Sequence, residues 1–92
     1  MTQKQILVVE DEEDIQELLR YNLTKDGYQV HCTGSGESGL REARKLLPDL
    51  LILDLMLPKM NGLEVCRQLK SAADTNHIPI IMLTAKGEES DI

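Results

Sequence analysis

Short runs of apolar residues alternate along the chain with segments in which apolar residues recur every three or four positions. The runs at residues 6–9, 50–53 and 78–83 are continuously apolar, as strands buried on both faces of a sheet are, and they predict strands over residues 4–9, 50–54 and 78–83. A fourth run, residues 28–33, alternates polar and apolar residues and predicts a strand with an exposed side. The periodic segments between the runs predict helices over about residues 13–25, 38–47 and 63–71.

Each predicted helix has one apolar face, which we expect to pack against the sheet. The expected inward residues are Ile15, Leu18, Leu19 and Leu23 in the first helix, Leu40, Ala43 and Leu47 in the second, and Leu63, Cys66 and Leu69 in the third. Gly27 and Pro48 follow the first two helices and are typical of helix ends. Another helical pattern begins near residue 88.

The regular alternation of strands and helices predicts the fold class. Strands joined by helical crossovers are parallel, and right-handed crossovers place helices on both faces of the sheet. We therefore predict an α/β domain with a doubly wound parallel sheet in three layers, with about four strands in the order 2-1-3-4. Ligands bind such sheets at the switch point, which lies between strands one and three in this order.

Carboxylates follow both strands that flank this switch point. Glu10 and Asp11 come directly after the first strand, Asp54 ends the third, and Thr84 follows the fourth. Taken separately, Asp11 and Asp54 could each be a helix cap or a turn residue. Their convergence at one sheet edge favours a site, and clustered carboxylate oxygens are suited to Mg²⁺.

The composition excludes several classes of protein. Among 92 residues, 16 are acidic and 10 basic, so the net charge of -6 disfavours direct binding of nucleic acid. No apolar run approaches the length of a membrane span, and no leader segment is visible, so we expect a cytoplasmic protein without a membrane partner. Cys32 and Cys66 lack metal-ligand spacing, and we expect both to be buried free thiols.

Three segments together resemble the receiver domain of two-component response regulators, in the branch of the phosphate-regulon transcriptional regulators. They are residues 8–12 (VVEDE), 54–62 (DLMLPKMNG) and 83–86 (LTAK). The resemblance spans the whole chain in the right order and implies a flavodoxin-like fold. It also implies a signalling domain that assists its own phosphorylation and is not a turnover enzyme.

The resemblance implies a role for each matching residue. Asp54 would accept a phosphoryl group from a histidine of a partner sensor histidine kinase and become an acyl phosphate. Glu10, Asp11 and Asp54 would hold Mg²⁺, with the backbone carbonyl of Met56 as a further ligand. Thr84 would donate its hydroxyl to a phosphoryl oxygen. The chemistry is consistent, because phosphoryl transfer depends on positioning and charge neutralisation.

The sequence departs from the family at its C-terminal end. Receivers have a fifth strand, which carries a lysine and a switch aromatic residue, and then a fifth helix, whereas this sequence reaches residue 92 before them. We therefore expect residues 1–92 to be a receiver domain that is incomplete at its C-terminus, with no effector domain. The edge of the fourth strand would be open, which predicts a homodimer that pairs along this strand or exchanges elements.

A glycine-rich segment supports an alternative. Residues 34–39 (GSGESG) match G-x-G-x-x-G between a strand and a helix, as in a nucleotide-binding α/β fragment. The segment follows strand two rather than strand one, which favours a loop capped by Ser35 or Ser38. A second alternative is an inactive fragment that forms an assembly.

Overall fold

The computed structural model describes residues 3–83, and within them four strands alternate with three helices. The elements are β1 (Gln5–Val9), α1 (Glu13–Lys25), β2 (Gln29–Thr33), α2 (Gly36–Leu46), β3 (Leu50–Asp54), α3 (Gly62–Lys70) and β4 (Ile80–Leu83). All strand pairs are parallel, and the strand order is β2-β1-β3-β4. The predicted fold class and strand order are confirmed. The helical pattern near residue 88 lies outside the described residues.

Helices cover both faces of the sheet. Successive apolar residues of β1 and β3 point to opposite faces and therefore join two separate clusters. On one face, Leu7, Val9, Leu51 and Leu53 pack with residues of α2 and α3. On the other face, Ile6, Val8 and Ile52 are joined by Leu19 and Leu23 of α1. A strand buried on both sides needs apolar residues at successive positions, which explains the continuous runs in the sequence.

Polar side chains cap the N-termini of two helices. Ser35 caps α2 by accepting a hydrogen bond from the Ser38 backbone N–H at 3.1 Å. Asn61 caps α3 in the same way, with the Glu64 N–H at 3.0 Å. The N-cap residue of α1 is Glu12, whose side chain makes no capping hydrogen bond. The start of α1 therefore depends on other contacts.

Three leucines predicted to face inward are exposed, which corrects that part of the sequence analysis: Leu18 by 61%, Leu47 by 46% and Leu63 by 59%. In α3, Val65 and Leu69 stand one helical turn apart and face the core. Leu63, two residues before Val65, lies about 200° around the helix and faces outward. Leu47 follows the last residue of α2 with a φ of 48°, so the helical phase no longer applies to it.

Smaller differences concern the cysteines and the element ends. Cys32 and Cys66 are free, as predicted, but each is half-buried rather than buried. β4 begins at Ile80, two residues later than predicted, although Ile78 is fully buried in the core.

None of the helices between residues 3 and 83 has the length and apolar character needed to cross a membrane.

Two threonines with buried hydroxyl oxygens, the half-buried Thr33 and the buried Thr75, differ in how these oxygens are paired and allow a stability test. Thr33 Oγ1 has no hydrogen-bond partner among the described residues, whereas Thr75 Oγ1 donates to the Leu69 carbonyl at 2.7 Å. We expect Thr33→Val to raise the free energy of unfolding by about 0.5–1 kcal/mol, because it removes an unpaired buried polar group. The matched change Thr75→Val should lower it by about 1–3 kcal/mol. Urea denaturation measures both, and equal losses would contradict the assignment.

Candidate functional site

Three carboxylates meet where β1 and β3 end. One oxygen from each of Glu10, Asp11 and Asp54 can be chosen so that all three lie within 4.8 Å of one another. β1 and β3 are adjacent and parallel, with Val9 paired to Leu53, so the residues that follow this pair emerge side by side. The structure thus brings together the acidic residues that the sequence analysis predicted at the switch point.

The loop after β1 presents its two acids differently. Glu10 is only 2% exposed, whereas Asp11 is exposed. The Glu10 backbone N–H donates to the Thr33 carbonyl at 3.0 Å, which extends the β1–β2 ladder by one residue. The Glu10 carboxylate accepts a hydrogen bond from the Glu12 backbone N–H at 3.0 Å. Glu10 is therefore fixed beneath the loop, and Asp11 reaches into solvent above it.

Asp54 is oriented by the loop that follows β3. Its Oδ1 accepts a hydrogen bond from the Met56 backbone N–H at 3.0 Å. Met56 is 63% exposed, and the hydrogen bond that it makes to Asp54 comes from its backbone. This contact holds the Asp54 carboxylate near the end of the strand. The predicted metal ligand, the Met56 carbonyl, stays a prediction.

Gly62 packs closely against the backbone of Asp54 and Leu55. A Cβ at this position would collide with the Asp54 carbonyl and would lie 2.9 Å from the Leu55 Cα. The Gly62 N–H donates to the Leu55 carbonyl at 3.0 Å. Because both neighbours are backbone, a side chain at residue 62 could not be accommodated without moving the end of β3. The start of α3 is thereby packed directly against the strand that ends in Asp54.

Burial raises the pKa of Glu10 from its ordinary value of 4.5 to about 7. The hydrogen bond from the Glu12 N–H lowers this pKa, and the nearby charges of Asp54 and Asp11 raise it. A cation placed among these groups would remove the repulsion between the carboxylates. The donor set consists of hard carboxylate oxygens and fits a divalent ion such as Mg²⁺.

Two further findings concern residues that the sequence analysis named or missed. Thr84 lies outside the described residues, and its role stays a prediction. Gln16 was missed, although its side-chain amide donates to the Glu10 carbonyl. A single glutamine in the first turns of a helix matches no motif, so the sequence carried no signal for it.

The glycine-rich segment has a packing explanation. A Cβ on Gly36 would lie 2.8 Å from the Met60 carbonyl, and a Cβ on Gly39 would lie 2.8 Å from a methyl carbon of Val9. These glycines let α2 approach β1 and the loop before α3 closely. Ser35, the second residue of the segment, is the N-cap of α2. The nucleotide-binding alternative therefore gains no support from the structure.

The sequence matches a known family model and two curated proteins. The model, described as the response regulator receiver domain, matches residues 6–92. The alkaline phosphatase synthesis transcriptional regulatory protein PhoP of Bacillus subtilis (strain 168) is 52% identical, over 96% of this chain and 36% of that protein. The phosphate regulon transcriptional regulatory protein PhoB of Rhizobium meliloti (strain 1021) is 51% identical, over 94% of this chain and 38% of that protein. The chain spans somewhat more than a third of these relatives.

A solved structure has the same fold. The Mn²⁺-bound form of response regulator Rcp1 superposes with a TM-score of 0.82 at 28% sequence identity. The match covers 94% of this chain and 68% of the Rcp1 chain.

The raised pKa of Glu10 predicts a pH dependence of stability in the absence of metal. Between pH 4.5 and about 7 the folded chain keeps a proton on Glu10 that the unfolded chain has released. Relative to Glu10→Gln, the free energy of unfolding of the wild type should therefore fall as pH rises through this range, by up to roughly 1.4 kcal/mol per pH unit. Urea denaturation in the presence of a chelator measures the difference between the two proteins.

Glu64, whose pKa is lowered by its hydrogen bond to Arg67, has the opposite pH dependence. It is present in both proteins and cancels in the comparison. A wild type that gains stability relative to Glu10→Gln as pH rises from 4.5 to 7 would contradict the prediction.

Proposed function

Because this chain belongs to the response regulator receiver domain family, we propose that Asp54 is the residue that accepts its phosphoryl group. The observation that carries the proposal is the convergence of Glu10, Asp11 and Asp54 within 4.8 Å at the switch point of the sheet. We also propose that residues 1–92 all belong to one phosphoacceptor domain. The domain takes part in two-component signalling, and it assists its own modification without turning over a substrate.

The proposed reaction is a transfer of the phosphoryl group from nitrogen to oxygen. A carboxylate oxygen of Asp54 forms a bond to phosphorus while the bond from phosphorus to the donor histidine nitrogen breaks. The electron pair of the broken bond stays on the imidazole, which takes up a proton. Met56 holds Asp54 Oδ1 at 3.0 Å, so attack through Oδ2 keeps this hydrogen bond. The product is an acyl phosphate on Asp54.

We propose that Glu10, Asp11 and Asp54 hold Mg²⁺, together with the backbone carbonyl of Met56. When bound, the ion neutralises the repulsion between an anionic nucleophile and an anionic phosphoryl group. The carboxylate donor set supports this proposal, as does the Mn²⁺-bound form of the related regulator Rcp1. Without the ion, the pKa of Glu10 is raised to about 7, so that near neutral pH the ion would compete with a proton for this carboxylate.

The proposed donor is a sensor histidine kinase, because receiver domains of response regulators are phosphorylated by such kinases. Thr84, which follows β4 in the sequence, is proposed to donate its hydroxyl to a phosphoryl oxygen. The net charge of -6 supports a protein partner rather than a nucleic acid for residues 1–92.

Phosphorylation can be tested with acetyl phosphate as a small donor. We expect the wild type to gain one phosphoryl group in the presence of Mg²⁺, detected by intact mass, and to lose it with hydroxylamine, which cleaves acyl phosphates. Asp54→Asn should gain none, and Asp11→Asn should react at least roughly tenfold more slowly, since one metal ligand is removed. Asp26→Asn makes the same charge change at the end of α1 and should behave as the wild type. Equal labelling of Asp54→Asn would contradict the assignment of the acceptor.

The outer edge of β4 supports a proposal about assembly. β4 is the outermost strand of the described sheet, and Ile81 is 50% exposed on the face that α1 covers in part. An open strand edge with apolar side chains pairs readily with another chain. We therefore propose that the 92-residue chain by itself forms a homodimer, through β4 or by exchange of elements.

Sedimentation equilibrium at micromolar concentration tests this assembly. We expect a dimer for the wild type and a shift toward monomer for Ile81→Lys, which places a charge on the exposed strand. Leu18→Lys changes a leucine that is 61% exposed on α1 and should leave the dimer intact. A monodisperse wild-type monomer would defeat the proposal.

A further inference from the structure

One side chain of α1 ties together the segments that carry the acidic cluster. The amide nitrogen Nε2 of Gln16 donates to the Glu10 carbonyl at 2.5 Å and lies 3.3 Å from the Thr33 carbonyl. The Gln16 backbone N–H donates to the Glu12 carbonyl at 3.1 Å. Gln16 therefore contacts the residue before Asp11, the residue after it, and the end of β2.

One of these contacts, the hydrogen bond to the Glu10 carbonyl, falls on the peptide group that directly precedes Asp11. The Glu10 carbonyl belongs to the peptide bond between Glu10 and Asp11, so a donor fixed on this oxygen limits rotation of that peptide plane. Asp11 itself is exposed, and the N-cap residue Glu12 makes no side-chain capping hydrogen bond. The side chain of Gln16, together with the hydrogen bond from the Glu12 N–H to the Glu10 carboxylate, thus restrains the part of the loop that carries Asp11.

We propose that Gln16 is a positioning residue that holds the Glu10–Asp11 peptide in the orientation that binds Mg²⁺. This inference rests on the proposed function, since it assumes that the carboxylate cluster binds the ion. Gln16 acts through the backbone and not as a ligand. Preorganisation of this kind raises affinity because less conformational freedom is lost when the ion binds.

The chemistry of the position favours a neutral or cationic donor. Residues 10–14 are all acidic, and the group at residue 16 must donate to two carbonyl oxygens. A glutamine supplies an NH₂ group without adding a negative charge beside the cluster. An arginine, with several N–H donors on a long side chain, meets the same requirement.

The test compares Mg²⁺ affinity with stability in Gln16 variants of the whole chain. Gln16→Met has a similar length but no donor, and Gln16→Ala removes the donor without filling the space. We expect both to bind Mg²⁺ about three- to tenfold more weakly by NMR titration, at a temperature where they are folded. Gln16→Arg keeps N–H donors and should bind Mg²⁺ with an affinity within about twofold of the wild type. Its added positive charge limits how fully the affinity is restored. Gln29→Met, at an exposed position at the opposite end of β2, is the control.

Affinity unchanged in both donor-free variants would overturn the inference, and so would a failure of both to fold, since Gln16 would then support the fold as a whole. An Mg²⁺ titration of the wild type and of Asp11→Asn separates this result from failure of the proposed function. If the wild type does not bind Mg²⁺, or if Asp11→Asn binds it equally well, the proposed metal site fails and the inference fails with it. If only the Gln16 variants are indifferent, the metal site stands and the role of Gln16 is rejected.

Discussion

The mutual repulsion of three carboxylates is the constraint around which this domain is organised. Ionised carboxylate oxygens within 4.8 Å of one another repel, and the exposure of Asp11 to solvent weakens its share of this repulsion. The raised pKa of Glu10 is one consequence of placing these groups together, although burial contributes most to it. The parallel pairing of β1 with β3 opposes this repulsion. Its hydrogen-bonded register places the acids at the same edge of the sheet whatever their charge.

The surrounding elements keep this edge in place by backbone contacts. Gly62 packs against the carbonyl of Asp54, and the Leu55 N–H donates to the Leu83 carbonyl at the end of β4. On the other side, Gln16 joins the start of α1 to the ends of β1 and β2. None of these contacts uses a carboxylate group, so they do not depend on the protonation of the acids. Binding of a proton, or of the proposed metal ion or phosphoryl group, therefore need not break these contacts.

The position of β4 connects this site with the outside of the domain. Asp54 pairs with Leu83 in the β3–β4 register, so the end of β4 lies beside the proposed acceptor. The same strand forms the outer edge of the described sheet. A change at the acceptor and a contact made along β4 thus act on adjacent parts of one strand pair. If both proposals hold, this strand pair connects the proposed phosphorylation site with the proposed dimer contact.

The sequence by itself determined the order of the strands and the meeting of Glu10, Asp11 and Asp54. These features depend on local apolar runs and on the rule that parallel strands end at one edge, so each can be recognised without knowledge of the packing. Only the tertiary structure decided which way Leu63 faces, because one residue of shift in the start of a helix rotates its side chains by about 100°. It also decided that Gln16 reaches the end of β2, seventeen residues further along the chain. Contacts of that range depend on how a helix is seated on the sheet, which no pattern within α1 specifies.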